Sequence, residues 1–139
     1  MSKNTQLTNA VVNAQAEIIA TALDDGYLRI YGDTQAATAD TAIGAQPLLA
    51  ELRFAAQSEV SIVDGLITFD ALTPDASAND TGTATWFRAL SSDGTTVVLD
   101  GSVGTADANM IMAALAIQEF ALVAVSSFTH DVRNATTGF

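Results

Sequence analysis

The sequence predicts a mainly β protein: a jelly-roll-like antiparallel β-sandwich of about eight short strands with one N-terminal α-helix. Three observations carry that expectation. Residues 81–104, TGTATWFRALSSDGTTVVLDGSVG, read as two extended runs about an Asp93-Gly94 turn. Short runs of period two recur along the chain between Gly, Pro and Asp punctuation. Only residues 8–23 keep a convincing helical spacing.

Taken in order, residues 1–7 are polar and predict a flexible arm. From Thr8 or Asn9, either a suitable N-cap, Val11, Val12, Ile18, Ile19, Ala22 and Leu23 recur at helical spacing. Asp24-Asp25-Gly26 ends the run, with Gly26 expected in the left-handed conformation. GYLRIYG at 26–32 is a strand with Leu28 and Ile30 on one face and Tyr27, Arg29 and Tyr31 on the other. An aromatic-Arg-aromatic stripe suits either a stacked ligand or a covering segment. Residues 33–47, DTQAATADTAIGAQP, exceed a hairpin loop and suit a binding role.

LLAELRF at 48–54 is the next strand, with Leu48, Ala50, Leu52 and Phe54 inward and Leu49, Glu51 and Arg53 outward. Residues 60–63 and 66–69 flank a second turn signal, Asp64-Gly65. Residues 72–82 read as a loop. In the central hairpin Ala84, Trp86 and Arg88 oppose Thr83, Thr85 and Phe87, so Trp86 is expected in the core. The β-branched 95–99 run forms the return strand, ended by Asp100-Gly101 and Gly104. Residues 109–112 are expected as a short strand and 120–129 as the closing strand, with a helix between 107 and 120 as the alternative. Residues 131–139 predict a second polar arm, and nothing within 1–139 signals a second domain.

Composition bounds the chemistry. The chain has 139 residues, a net charge of −11 and no cysteine, which removes disulfides, thiolate nucleophiles and cysteine metal sites. Five scattered cations, Lys3, Arg29, Arg53, Arg88 and Arg133, do not make a nucleic-acid footprint. The apolar stretch 110–125 is interrupted by Gln118-Glu119, so no membrane span is expected, and without a basic start followed by a long apolar run no secretory leader is expected. The large apolar anchors are Phe54, Phe69, Trp86, Phe87, Phe120 and Phe128.

His130, the single histidine, stands at the start of a polar tail and makes a poor general base. The acidic pairs Asp24/Asp25, Asp75/Asp80 and Asp100/Asp107 lie in turn sequences where Asp serves local hydrogen bonding. Asp75, Asn79 and Asp80 share one loop of oxygen ligands suited to calcium, without EF-hand spacing. No catalytic, cofactor or metal residue is therefore assigned.

GYLRIYGDTQAATADTA at 26–42, LLAELRF, the TATWFR hairpin and the closing SSFT together resemble a family of small virion structural proteins of tailed bacteriophages and prophages. The resemblance spans residues 9–129 and departs at Ala116-Ile117-Gln118-Glu119, where members carry a glycine turn. It implies a non-enzymatic virion structural role; by analogy with phage β-sandwich proteins of this size, the expectation is a capsid decoration or cement protein, a homotrimer bound to the major capsid protein on the virion surface and made in the host bacterial cytoplasm. A tail or baseplate component is a close variant. From a different class, a carbohydrate-binding module would use Trp86, Tyr27 and Tyr31 as its stacking platform.

Overall fold

The computed structural model describes residues 5–132. The expected arms fall largely outside this span, at 1–4 and 133–139. One helix, α1 (Asn9–Ala22), precedes ten strands: β1 (Tyr27–Tyr31), β2 (Leu48–Arg53), β3 (Glu59–Val63), β4 (Leu66–Phe69), β5 (Gly82–Thr83), β6 (Trp86–Leu90), β7 (Val97–Gly104), β8 (Met110–Ile111), β9 (Ala116–Ile117) and β10 (Ser127–Asp131). The chain is mainly β, as expected, in a curled sheet consistent with a sandwich. Eight strands pair in the order β2-β1-β6-β7-β8-β10-β4-β3, and β5 pairs with β9 separately. Pairing is antiparallel except between β7 and β8, where Val103 stands beside Met110. Parallel neighbours usually need a long crossover. Here β8 is two residues long, so residues 105–109 suffice to bring the chain back.

Thr8 caps α1, its hydroxyl accepting from the Val11 amide at 3.2 Å. At the other end Asp25, not Gly26, takes the left-handed conformation, with φ 55°. Gly26 is required for a different reason. A Cβ there would run into the carbonyl oxygen of Leu90 and lie 2.8 Å from that of Leu23. The inner face of α1, Val12, Ala16, Ala20 and Leu23, is buried. Small side chains let the helix lie close against β3 and β4. Ser58 locks it there, donating to Ala20 O at 2.6 Å while its own amide donates to Asp24 Oδ1 at 2.8 Å.

The core is centred on Phe128, which stacks on Phe69 at 4.6 Å and meets Phe87 edge-on at 5.1 Å, with Phe54 behind. Leu28, Ile30, Leu52, Ile67 and Met110 complete it. Asp64 and Gly65 both have positive φ, 51° and 86°, the geometry of a two-residue hairpin turn.

Several expectations are corrected. Leu49 is buried rather than outward, because the register slips between Ile30 and Tyr31 and a bulge breaks the period of two at the start of β2. β7 runs through Asp100 and Gly101 instead of ending there. Gly101 lies under the Phe87 ring, where a Cβ would be 2.6 Å from Cε1. The first arm of the central hairpin is split, with Gly82–Thr83 leaving to pair with β9. The closing strand is Ser127–Asp131 rather than 120–129, so Asp131 belongs to the sheet, and the Val132 amide donates to Gly65 O at 3.0 Å.

No helix forms between 107 and 120. The backbone there bonds across space instead: Ala84 N to Leu115 O, Phe120 N to Ala78 O, and Asp75 and Val123 to each other, all at 2.8–2.9 Å. Tertiary partners thus outweigh the helical propensity of the alanines.

Gly26→Ala is expected to lower stability by about 1–3 kcal/mol, since the intruding atoms are backbone oxygens that cannot swing away. Unfolding midpoints in urea measure it, and an unchanged midpoint would contradict the close approach.

Candidate functional site

The face of β1 and β6 turned away from the aromatic core carries the polar stripe singled out in the sequence. Strand register sets Glu51, Arg29, Arg88 and Asp100 side by side across β2, β1, β6 and β7. Two arginines directly opposite would repel. Each is instead flanked by its own carboxylate. Arg29 Nε donates to Glu51 Oε2 at 2.7 Å. Arg88 is bidentate, Nε and Nη2 donating to the two Asp100 oxygens at 2.8 and 2.9 Å. The Arg88–Asp100 pair is buried, and Asp100 holds the guanidinium above its ordinary pKa. Arg29–Glu51 is partly exposed, where such pairs contribute little.

Aromatic rings flank this row on both sides. Tyr31 stacks on Trp86 at 4.8 Å with 22° between planes, and the Arg88 guanidinium lies 5.5 Å from the Trp86 ring. On the other side Arg53 sits 4.0 Å over Tyr27. Burial pushes the Tyr31 hydroxyl above its ordinary value, against the pull of Arg29 and Arg88.

Residues 33–47 cover this face. Their ends are pinned together, Gly32 N donating to Pro47 O at 3.2 Å, so the segment is an Ω-loop. Trp86 Nε1 donates to Gly32 O at 3.2 Å, and Thr85 Oγ1 to Asp33 O at 2.5 Å. Over the row, Arg88 Nη2 reaches Thr38 O at 3.4 Å. Internal bonds shape the loop: Thr41 N to Thr38 O at 3.0 Å, and Gln46 Nε2 to Thr34 O at 3.0 Å. A groove of about 580 Å³ remains between the loop and the β6–β7 turn, bordered by Arg29, Tyr31, Ile43 and Thr96.

That turn is closed by Asp93. Its carboxylate accepts from the Thr95 and Thr96 amides at 2.8 Å each and from the hydroxyls of Thr96 and Ser91. These bonds hold Asp93 far below the ordinary carboxylate range. Only Gly94, with φ 72°, supplies a positive φ there, where both Asp93 and Gly94 were candidates.

The other sequence candidates are dispersed among structural tasks. Asp75 accepts from the Glu51 and Ser77 amides at 2.9 Å, and Asp80 from Thr81 N at 2.7 Å. Through Asp75, Thr73 and Asn79, residues 73–79 seal the outer edge of β2, Asn79 N donating to Leu49 O at 2.8 Å. Among the described residues no three His, Asp or Glu side chains group as a metal would need. Asp24 receives Ser58 N, whereas Asp100 belongs to Arg88 rather than to Asp107. His130 faces Ile67 across the β10–β4 pair, and burial lowers its pKa. Of the proposed stacking platform, Trp86 and Tyr31 are buried against each other and only Tyr27 is partly open. That arrangement removes a flat sugar-binding surface.

Sequence reasoning missed the charge row. A two-residue turn at Asp93-Gly94 would set Arg88 opposite Leu99, and only the register shift between Ala89 and Leu90 brings Asp100 there instead. Sequence reasoning also placed Phe120 in the core, whereas that ring is 75% exposed. No family model, curated protein or solved structure matches the chain.

Trp86→Ala should cost about 3–5 kcal/mol, the usual loss for a buried large aromatic. Overlapping urea melts of the two proteins would place the indole on the surface. A second expectation concerns pH. His130 binds a proton less readily folded than unfolded, because burial disfavours the imidazolium. Its contribution is therefore complete above the ordinary value of 6.5 and lost as pH falls below it. In His130→Gln the decline of stability between about pH 6.5 and 5 should flatten; an identical decline would assign it to other groups.

Proposed function

We propose that this chain is a non-enzymatic structural protein of a tailed-bacteriophage virion, a decoration protein that assembles as a homotrimer on the major capsid protein. The observation that carries the proposal is how the molecule distributes its polar and apolar groups. The polar side chains of the β1–β6–β7 face satisfy one another under the Ω-loop. Large apolar side chains stand in solvent on α1 (Val11, Ile18), on β3 and β4 (Val60, Val63, Leu66) and at Phe120 and Leu122. Surfaces of that kind serve attachment. The family pattern in the sequence supports the same reading. With a charge of −11, the protein approaches a basic partner surface most readily.

Mass spectrometry of purified particles separates the alternatives. A decoration protein appears in stoichiometric amounts in isolated heads, a baseplate component in isolated tails, and a soluble carbohydrate-binding module in neither. Binding to undecorated heads should also weaken steadily between about 0.05 and 0.5 M salt, as screening shortens the reach of complementary charge. Salt-independent binding would move the weight of attachment to the apolar surfaces.

A further inference from the structure

The pairings of the charge row leave one polar group over, the Tyr31 hydroxyl. The residue is 5% exposed and its ring stacks on Trp86. Burial raises its pKa, so the group is a proton donor at neutral pH. Arg29 and Arg88 act on it, but a guanidinium has donors only and cannot take its proton. Every side-chain polar atom closed off from solvent has a partner among the described residues, and Tyr31 Oη bonds to no acceptor there. The hydroxyl therefore opens into the groove of about 580 Å³ that Tyr31 borders. Clefts of about 300–1,000 Å³ are the usual size for small ligands and short segments.

The groove's free chemistry is one-sided. Arg29 Nε is engaged by Glu51, whereas its Nη2 extends to the turn, where a Cβ on Gly94 would lie 3.6 Å away. The carboxylates nearby are committed: Glu51 to Arg29, Asp100 to Arg88 and Asp93 to its own turn. A ligand here must accept hydrogen bonds. Charge argues against an anion, because each guanidinium already has its carboxylate and Asp40 stands exposed at the rim. A sugar brings as many donors as acceptors. An amide carbonyl has two lone pairs and no charge, and in a trans peptide the N–H points the other way, toward solvent. Ile43 and Val97 give the same groove an apolar border.

We infer that this groove binds an uncharged peptide segment of a partner, one backbone carbonyl accepting from Tyr31 Oη and Arg29 Nη2 while an apolar side chain lies against Ile43 and Val97. The carbonyl gives the buried hydroxyl the acceptor that the fold withholds. The inference rests on the groove alone and is independent of the virion reading, since it is tested on purified protein without particles.

N-acetylleucine amide, an uncharged single-residue peptide, is titrated into the full chain at millimolar concentration. Binding is read from the emission of Trp86, the one tryptophan, and from the amide resonances of Gly94, Thr95 and Thr96 at the groove border. Tyr31→Phe keeps the ring on Trp86 and removes only the hydroxyl. It breaks no internal hydrogen bond, so it should melt with the wild type while its affinity for the amide falls about tenfold. Ile43→Ser, on the Ω-loop and away from the core, should weaken binding severalfold. N-acetylleucine, which carries a carboxylate in place of the amide, should bind more weakly than the amide. Four results would overturn the inference: resonances at 94–96 that stay fixed, undiminished binding by either variant, a Tyr31→Phe protein that melts below wild type, or N-acetylleucine binding as tightly as its amide.

Discussion

Burying Arg88 is the constraint on which the sheet depends. A guanidinium cannot leave water without a partner, and removing one member of such a pair strands the other charge. Asp100 must therefore stand opposite, which fixes the register of β6 on β7. A slip of one residue would turn Arg88 into the aromatic core and Phe87 toward the Ω-loop. Arg29, directly beside Arg88 on β1, then needs its own carboxylate, and Glu51 supplies it from β2. The row Glu51-Arg29-Arg88-Asp100 thus specifies three strand pairings at once. Its contribution lies in specificity more than in stability, because desolvation offsets much of the attraction within a buried pair.

Two coverings follow from this arrangement. One face of β1 and β6 meets the Phe128-centred core, which also takes in the small residues of α1. The other presents charge and rings that open solvent would leave half-used, and the Ω-loop closes over them. The loop contributes few large side chains. Its role is to bring backbone carbonyls, those of Gly32, Asp33 and Thr38, to the donors of Trp86, Thr85 and Arg88. A segment whose length suits binding of a foreign ligand is largely occupied with the protein's own sheet.

The surface shows the opposite economy. Edge β2 is sealed by residues 73–79, a common protection against strand-to-strand association. Phe120 and Leu122, by contrast, are held outward at the cost of backbone strain. The turn at Phe120 lets residues 120 and 121 bond with Ala78, so the backbone gains inside the molecule, whereas the exposed side chains of Phe120 and Leu122 have no such return there. This contrast supports a protein whose work is attachment.

Local chemistry made much of this legible in the sequence. The Thr8 cap, the alternation of Leu28 and Ile30 and the Asp64-Gly65 turn each follow from one residue's preferences and a period of two or 3.6, whereas Trp86 is buried as expected but under the Ω-loop, on the face opposite Phe87 and the core. The carboxylate opposite Arg88 was not legible, because it depends on a register shift between Ala89 and Leu90. Other features depend on partners far apart in the chain. The alanines of 108–124 have helical propensity, but their amides and carbonyls find Ala78, Ala84 and Asp75 instead. Leu49 turns inward through a bulge opposite Tyr31, and Phe120 turns outward through bonds to Ala78. Periodicity places a side chain on a face, but which face is covered, and by what, is decided only when distant backbone groups satisfy one another.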